Sequence, residues 1–262
     1  MKKVALKVGK VLGAIAFWVA VWFIIAKAVD LDLIIPSPMS VTKALWQLIR
    51  TADFWTSTAT SLLRVIIGIF ISFAIGSVIA YLCWRSRAVN TLLSPALSII
   101  KATPVASFII IAWLWFDTAQ LPIFIASLIV IPIITANLTQ GFSSIDKDLV
   151  EVAKVYRLPF SKKLLSLYIP SVAPFFLAAC RASLGMAWKA SVAAELIVLS
   201  KNSIGREMYD AKLMLETAHV FAWTIVVIIL SIIVEKLIIF LLEYLGRTLR
   251  FLPKKGEPYV EN

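Results

Sequence analysis

Three charged residues, Arg181, Lys189 and Glu195, lie inside one long apolar run. A charge at the centre of a bilayer costs roughly 2.5–3.5 kcal/mol on insertion scales, so such a residue usually lines a polar path or pairs with an opposite charge. Arg181, Trp188 and Glu195 are spaced by seven residues and lie close to one helical stripe, with Lys189 about 80° from Arg181. The two cations either offer positive potential to an anionic solute or pair with Glu195 or with an acid on another helix.

The polar connection 143–170 carries a second group of candidate residues. Asp148 can cap the N-terminus of a helix, with Glu151 at the reciprocal position of a capping box. One apolar face follows at helical spacing, formed by Leu149, Val152, Ala153 and Tyr156. The pattern predicts a short amphipathic helix.

A second short helix is predicted in the same connection. Leu158 and Pro159 end the first helix, Ser161 can cap the next one, and Pro170 turns the chain into the following apolar run. The first helix either lies on lipid headgroups or docks in a groove of a cytosolic partner. Its periodicity fits both interpretations equally.

Motifs for enzymatic chemistry are missing from the sequence. It has one histidine, His219, no HExxH or GxSxG pattern, and no G-x-x-x-x-G-K-[ST] loop to hold ATP phosphates. Cys83 and Cys180 lie in or at the end of apolar runs, outside any metal-ligand spacing, and are interpreted as packing residues. We therefore expect no metal site, no bound cofactor and no catalytic site in this chain.

The composition assigns the chain to the membrane. Of its 262 residues 61% are hydrophobic and only 16% are charged, whereas a soluble domain is about 45–50% apolar and about 25% charged. Six apolar runs are long enough to cross a bilayer. We predict spans at about 11–29, 61–84, 94–116, 121–142, 171–199 and 220–245. We expect the first to be a retained anchor rather than a signal peptide, because it is long and carries bulky aromatic residues.

The distribution of basic residues predicts the orientation of these spans. The N-terminal tail, the connection after the second span, the connection 143–170 and the C-terminal tail hold 16 Lys and Arg residues, against 5 in the other connections. Positive residues favour the cytoplasm, so both termini and the connection 143–170 are predicted to be cytoplasmic. This pattern also explains the net charge of +11 without a nucleic-acid partner.

The second predicted span contains a stripe of small residues, Gly68, Ser72 and Gly76, at every fourth position. Such a stripe is typical of a helix-packing face. Arg64, which precedes the stripe, is expected to extend its guanidinium to the outer headgroups.

The connection 143–170 resembles the EAA loop of ABC importer permeases. Glu151, Ala153 and Pro170 match at the family's spacing, and Leu167 and Ile169 are conservative replacements. The loop departs from the family at Val152, where Ala is usual. It also departs at the usual Gly, which would permit a tight turn with positive φ. Arg157 stands there, and either the turn is reshaped or the helix continues.

The resemblance extends over nearly the whole chain, through the segments 35–40, 60–68, 181–188 and 193–195. Together these segments look like the permease branch associated with uptake of nitrate, sulfonate, taurine, bicarbonate and thiamine precursors. The implied fold is an all-α integral membrane protein with six transmembrane helices in a single permease domain, 1–262. The residues implied to couple to an ATPase are Asp148, Glu151, Val152, Ala153, Tyr156, Arg157 and Pro170.

The resemblance also implies partners for this chain in the cytoplasmic membrane. These are two cytosolic ATPase subunits that would hold ATP and Mg, an extracytoplasmic substrate-binding protein, and a second permease copy or a related permease. The expected solute is a small organic or inorganic anion, and a thiamine precursor or another small nutrient is the alternative. An ion-coupled secondary carrier is a further alternative, with Pro104, Pro122, Pro132 and Glu195 as its signals.

Overall fold

The structure is a computed structural model that describes residues 2–249 and 251, and all regular secondary structure within them is helical. This confirms the predicted all-α class. The basic residues Arg250, Lys254 and Lys255, which entered the charge count of the C-terminal tail, lie outside the described residues. The helices are α1 (Lys2–Val29), α2 (Pro38–Ile49), α3 (Ala52–Arg85), α4 (Arg87–Ala102), α5 (Val105–Ala112), α6 (Leu121–Ser143), α7 (Lys147–Val155), α8 (Phe160–Lys163), α9 (Ile169–Val198), α10 (Ile204–Leu213) and α11 (Thr217–Thr248).

Five helical segments are long and apolar enough to cross a membrane: Leu12–Val29, Ala52–Arg85, Leu121–Ser143, Phe160–Val198 and Thr217–Thr248. The second begins nine residues before the predicted span. Thr51 causes this early start, because its side chain accepts a hydrogen bond from the Phe54 amide and caps the helix. The spans at 61–84 and 171–199 are thus the apolar parts of longer helices.

The third predicted span, 94–116, is not one straight helix. Helices α4 and α5 together pass the same test of length and composition, but they are bent by 105° at the break between them. Thr103 is extended, with φ −78° and ψ 133°, as the residue before Pro104 must usually be. α5 has eight residues and is about 12 Å long, too short to cross a bilayer alone.

The core of the protein is formed by α3, α6 and α9. α6 lies between the other two, and Ile125, Ala126, Val130 and Ile134 on it are fully buried. Helix α11 packs against α9, α10 and α2, and the indole of Trp22 on α1 donates to the Pro36 carbonyl. α1 otherwise shows mostly exposed apolar side chains, as expected of a helix that faces lipid.

Candidate functional site

Helix α7 occupies the predicted position between the fourth and fifth spans, but a different residue caps it. The N-cap is Asp146, whose carboxylate accepts a hydrogen bond from the Asp148 amide at 2.8 Å. Asp148 itself lies in the first turn, where a carboxylate favours the helix dipole. The expectation of Asp148 as N-cap was therefore wrong, because the last extended residue before the helix is Asp146, two residues earlier.

Arg157 keeps the turn that glycine usually makes at this position of the loop. α7 ends at Val155, and Arg157 adopts φ 49° in the left-handed region. The Leu158 amide donates to the Ala153 carbonyl at 3.1 Å, and the Arg157 amide donates to Lys154 at 2.9 Å. These are the two hydrogen bonds of a Schellman motif. The helix does not continue past Val155, and the turn is not reshaped. Arg157 itself adopts the strained left-handed conformation.

The outward surface of α7 consists of apolar side chains that are exposed to solvent. Leu149, Val152 and Tyr156 are 50%, 51% and 76% exposed, whereas Ala153 is buried. Glu151 is exposed beside them. Exposed apolar side chains at helical spacing are what a helix presents to a groove on a partner.

The segment after α7 differs from the two-helix prediction. α8 begins at Phe160 with Pro159 as a cap residue that makes no side-chain hydrogen bond, so Ser161 is not the cap. A π-helical segment, Leu164–Tyr168, then leads directly into α9. Pro170 lies at the start of α9, directly after the π-helical segment, and the chain does not turn there.

The four residues predicted along α9 do not form one polar arc. Trp188 and Glu195 are buried, at 1% and 0% exposure, whereas Arg181 and Lys189 are exposed. The Arg181 guanidinium pairs with Glu243 on α11, which also accepts a hydrogen bond from Arg247 at 2.9 Å. The exposed stripe of α9 is otherwise built from small or flexible side chains, Ala178, Ala182, Met186 and Ala193.

Glu195 pairs with a residue that the sequence pattern did not indicate. Its carboxylate receives the Arg64 guanidinium at 3.0 Å and the Ser61 hydroxyl at 2.7 Å. Arg64 is itself buried, so the expectation that it extends to the headgroups was wrong. Two opposite charges in separate spans were the available signal, because an intramembrane charge usually finds a partner.

The stripe of Gly68, Ser72 and Gly76 lies buried at the contact of α3 with α6. A Cβ on Gly68 would lie 2.9 Å from the Ala126 Cβ, and one on Gly76 would lie 2.9 Å from an Ile134 methyl. The Ser72 hydroxyl donates to the Gly68 carbonyl at 2.6 Å. The small residues let the two backbones approach closely.

Helix α10 lies over the ends of α3 and α9 that are opposite to α7. Glu207 on α10 accepts a hydrogen bond from the Ser57 hydroxyl at 3.2 Å. Partial burial raises the pKa of Glu207 above its ordinary value, although the Ser57 hydrogen bond opposes the shift. Among residues 2–249 and 251, no group of three or more His, Cys, Asp or Glu side chains is placed to hold a metal ion.

Comparison with known proteins gives a family match over most of the chain. A family model described as "Binding-protein-dependent transport system inner membrane component" matches residues 72–251. The putative aliphatic sulfonates transport permease protein SsuC of Bacillus subtilis is 26% identical over 211 residues, covering 79% of this chain and 76% of that protein. Its Escherichia coli namesake is 30% identical over 222 residues, covering 84% and 82%.

A third relative carries a different substrate name. The nitrate import permease protein NrtB of Synechococcus elongatus is 27% identical over 205 residues, covering 74% of this chain and 73% of that protein. The family match begins within α3 and includes α7 and the whole of α9. The exposed helix and the charged residues of α9 therefore lie inside the shared region.

Proposed function

The chain belongs to the binding-protein-dependent transport system inner membrane components, which makes it the permease subunit of an ABC importer, and we propose that α7 couples it to two cytosolic ATPase subunits. The observation that carries this proposal is the exposed apolar surface of α7, where Leu149, Val152 and Tyr156 are at least half exposed. A short helix seated in a groove of each ATPase would bury this surface. ATP and Mg would be held by those subunits, since this sequence has no P-loop.

The orientation follows from the charge distribution. The 16 basic residues of the tails and of the connections on the α7 side face the cytoplasm, and the 5 of the opposite connections face outward. The protein then lies in the cytoplasmic membrane with both termini inside. α10 and the connection between α5 and α6 lie outside, where an extracytoplasmic binding protein delivers the solute.

The solute that we propose is a small organic or inorganic anion. Relatives are named for sulfonate and nitrate transport. Lys189 is exposed within the span α9, and no ion pair is made to it by the described part of the chain. Arg181 keeps the pairing with Glu243 and contributes less free charge. An exposed ammonium partway across would lower the barrier for an anion.

A second permease copy would form the opposite wall of the solute path. The exposed stripe of α9 holds Lys189 between small side chains, Ala182 and Ala193 among them. Two such stripes facing each other would enclose a polar passage. A homodimer supplies this arrangement with one kind of chain.

The test is purification of the tagged permease from its native membrane in mild detergent, followed by mass spectrometry of the proteins that elute with it. We expect a stoichiometric P-loop ATPase. Glu151→Lys should reduce its recovery at least tenfold, because it reverses the charge beside the apolar surface of α7. The matched control is Glu216→Lys, which reverses an exposed carboxylate at the opposite side of the membrane and should leave ATPase recovery unchanged. Full recovery of the ATPase with Glu151→Lys would contradict the coupling role.

A further inference from the structure

A polar cluster at the outer ends of α3 and α9 joins three separate segments. Glu195 holds the Arg64 guanidinium at 3.0 Å and the Ser61 hydroxyl at 2.7 Å. The Ser61 oxygen in turn accepts a hydrogen bond from the Ile204 amide at 3.0 Å, and the Gly205 amide donates to Glu195 at 3.4 Å. The first amides of α10 are therefore bound by side chains of α3 and α9.

The loop between α9 and α10 is held by the same cluster. The second guanidinium nitrogen of Arg64 donates to the Lys201 carbonyl at 3.2 Å. The Ser200 hydroxyl donates to the Thr118 carbonyl, in the connection that precedes α6. Leu199 and Asn202 adopt left-handed φ values of 53° and 48°. The loop thus takes a strained path that brings the Lys201 carbonyl to Arg64.

The backbone at the start of α10 lies in close contact with the last turns of α9, so α10 has little room to move there. A Cβ on Gly205 would lie 2.4 Å from the Leu196 amide nitrogen and 2.6 Å from the Glu195 Cβ. Only glycine allows α10 to begin directly against the last turn of α9. The contact and the ion pair together hold α10 against α3 and α9.

A buried ion pair is a costly way to stabilise a fold. Both charges must be taken out of water, and apolar residues of similar volume often give equal stability. What a charged pair adds is directional geometry, since Glu195 must accept from Ser61, Arg64 and Gly205 in fixed positions. The cluster is therefore suited to transmit displacement between the outer loop and the spans.

We propose that Arg64, Glu195 and Ser61 are positioning residues that join the loop 199–203 and α10 to α3 and α9, so that docking of the binding protein outside is transmitted into the spans. The inference rests on the proposed function, because it assigns this side to the binding protein. α9 continues through the π-helical segment to the α7 connection at its other end. A displacement of the loop 199–203 and α10 therefore reaches the ATPase side along one continuous helical path.

The experiment uses the complete transporter in lipid nanodiscs, with the permease, its ATPase subunits and the binding protein recovered with the native complex. ATP hydrolysis is measured with and without that binding protein. Ser61→Ala removes one buried hydroxyl of α3 that links Glu195 to Ile204. The matched control, Ser72→Ala, removes another buried hydroxyl of α3 that donates to Gly68 and to Ser127. Glu195→Gln tests the ion pair itself.

We expect Ser61→Ala and Glu195→Gln to reduce stimulation by the binding protein at least fivefold while basal hydrolysis stays within twofold of the unmodified complex. Ser72→Ala should keep the stimulation. A merely structural role would lower basal and stimulated hydrolysis together and leave their ratio unchanged. If Glu195→Gln fails to assemble, Ser61→Ala decides.

Hydrogen exchange gives a second readout in the same complexes. The Ile204 amide should exchange at least tenfold faster in Ser61→Ala than in Ser72→Ala, because Ser61→Ala removes the hydroxyl oxygen that accepts its hydrogen bond. Unchanged stimulation in Ser61→Ala, with this faster exchange present, would overturn the inference alone. Absence of stimulation in the unmodified complex would overturn the proposed function, and the inference with it.

Discussion

At residue 157 an arginine occupies a backbone conformation that favours glycine. Its φ of 49° closes the Schellman motif at the end of α7. A left-handed conformation costs an L-residue roughly 1–2 kcal/mol relative to glycine. The surrounding structure must offset that cost. The hydrogen bond from the Leu158 amide to the Ala153 carbonyl is part of what holds the turn. The geometry of the loop therefore survives the loss of its usual glycine.

Arg157→Gly should raise the thermal midpoint of the permease slightly and stabilise the turn by about 1 kcal/mol, because glycine adopts positive φ without steric cost. Lys154→Gly, inside α7, is the matched control. It should have the opposite sign, costing about 0.5–1 kcal/mol, since residue 154 lies inside α7 with helical φ. Melting of both variants in one detergent checks the pair, and a lower midpoint for Arg157→Gly than for the unmodified chain would contradict the strain argument.

Residue types in the sequence predicted the candidate site only where its residues are close to one another in the chain. The helix at 147–155 followed from apolar spacing, but its cap moved by two residues because Asp146 and Asp148 are equally suited by type. The partnership of Arg64 with Glu195 was missed, because 131 residues separate the two and only tertiary packing brings them together. The exposed position of Lys189 beside the buried Trp188 likewise depends on which side of α9 meets α6.

At the scale of helices, apolar length was sufficient to locate the spans. Each long run in the sequence became a helix, because a bilayer requires every backbone group to be satisfied within its segment. The exception is the run 94–116, where Pro104 divides α4 from α5. The angle between those two helices could not be predicted, because it depends on packing of α5 against α6 and α9.

The contact of α3 with α6 gives the clearest prediction at this scale. Gly68→Ala should lower the thermal midpoint and cost roughly 1–3 kcal/mol, because its Cβ would lie 2.9 Å from both the Ala126 Cβ and the Ile123 carbonyl oxygen. Gly13→Ala on α1 is the control, since nothing lies within 4 Å of its Cβ position. It should leave the midpoint unchanged or raise it. Equal midpoints for the two variants would show that the helices can separate at no cost.

For the whole molecule, the direction of α3 relative to α6 determines the number of crossings. The hydrogen bonds between the two helices include those from Ser127 to Gly68, from Thr135 to Gly76 and from Thr139 to Ala80. Both members of each pair advance along the chain together, so α3 and α6 run parallel. Parallel neighbours need a return crossing between them. We therefore expect the bent pair of α4 and α5 to carry the chain back across the membrane, which would give six crossings.

Cysteine labelling in intact cells tests this crossing. Asn90, in the first turn of α4, and Ala119, after α5, are exposed residues at the two ends of the bent pair. The native Cys83 and Cys180 are buried and should stay unlabelled. A membrane-impermeant maleimide should label Ala119→Cys from outside, whereas Asn90→Cys should react only after the membrane is opened. The unmodified chain is the control. Labelling of both positions from the same side would mean that α4 and α5 re-enter rather than cross, and the termini would then lie on opposite sides of the membrane.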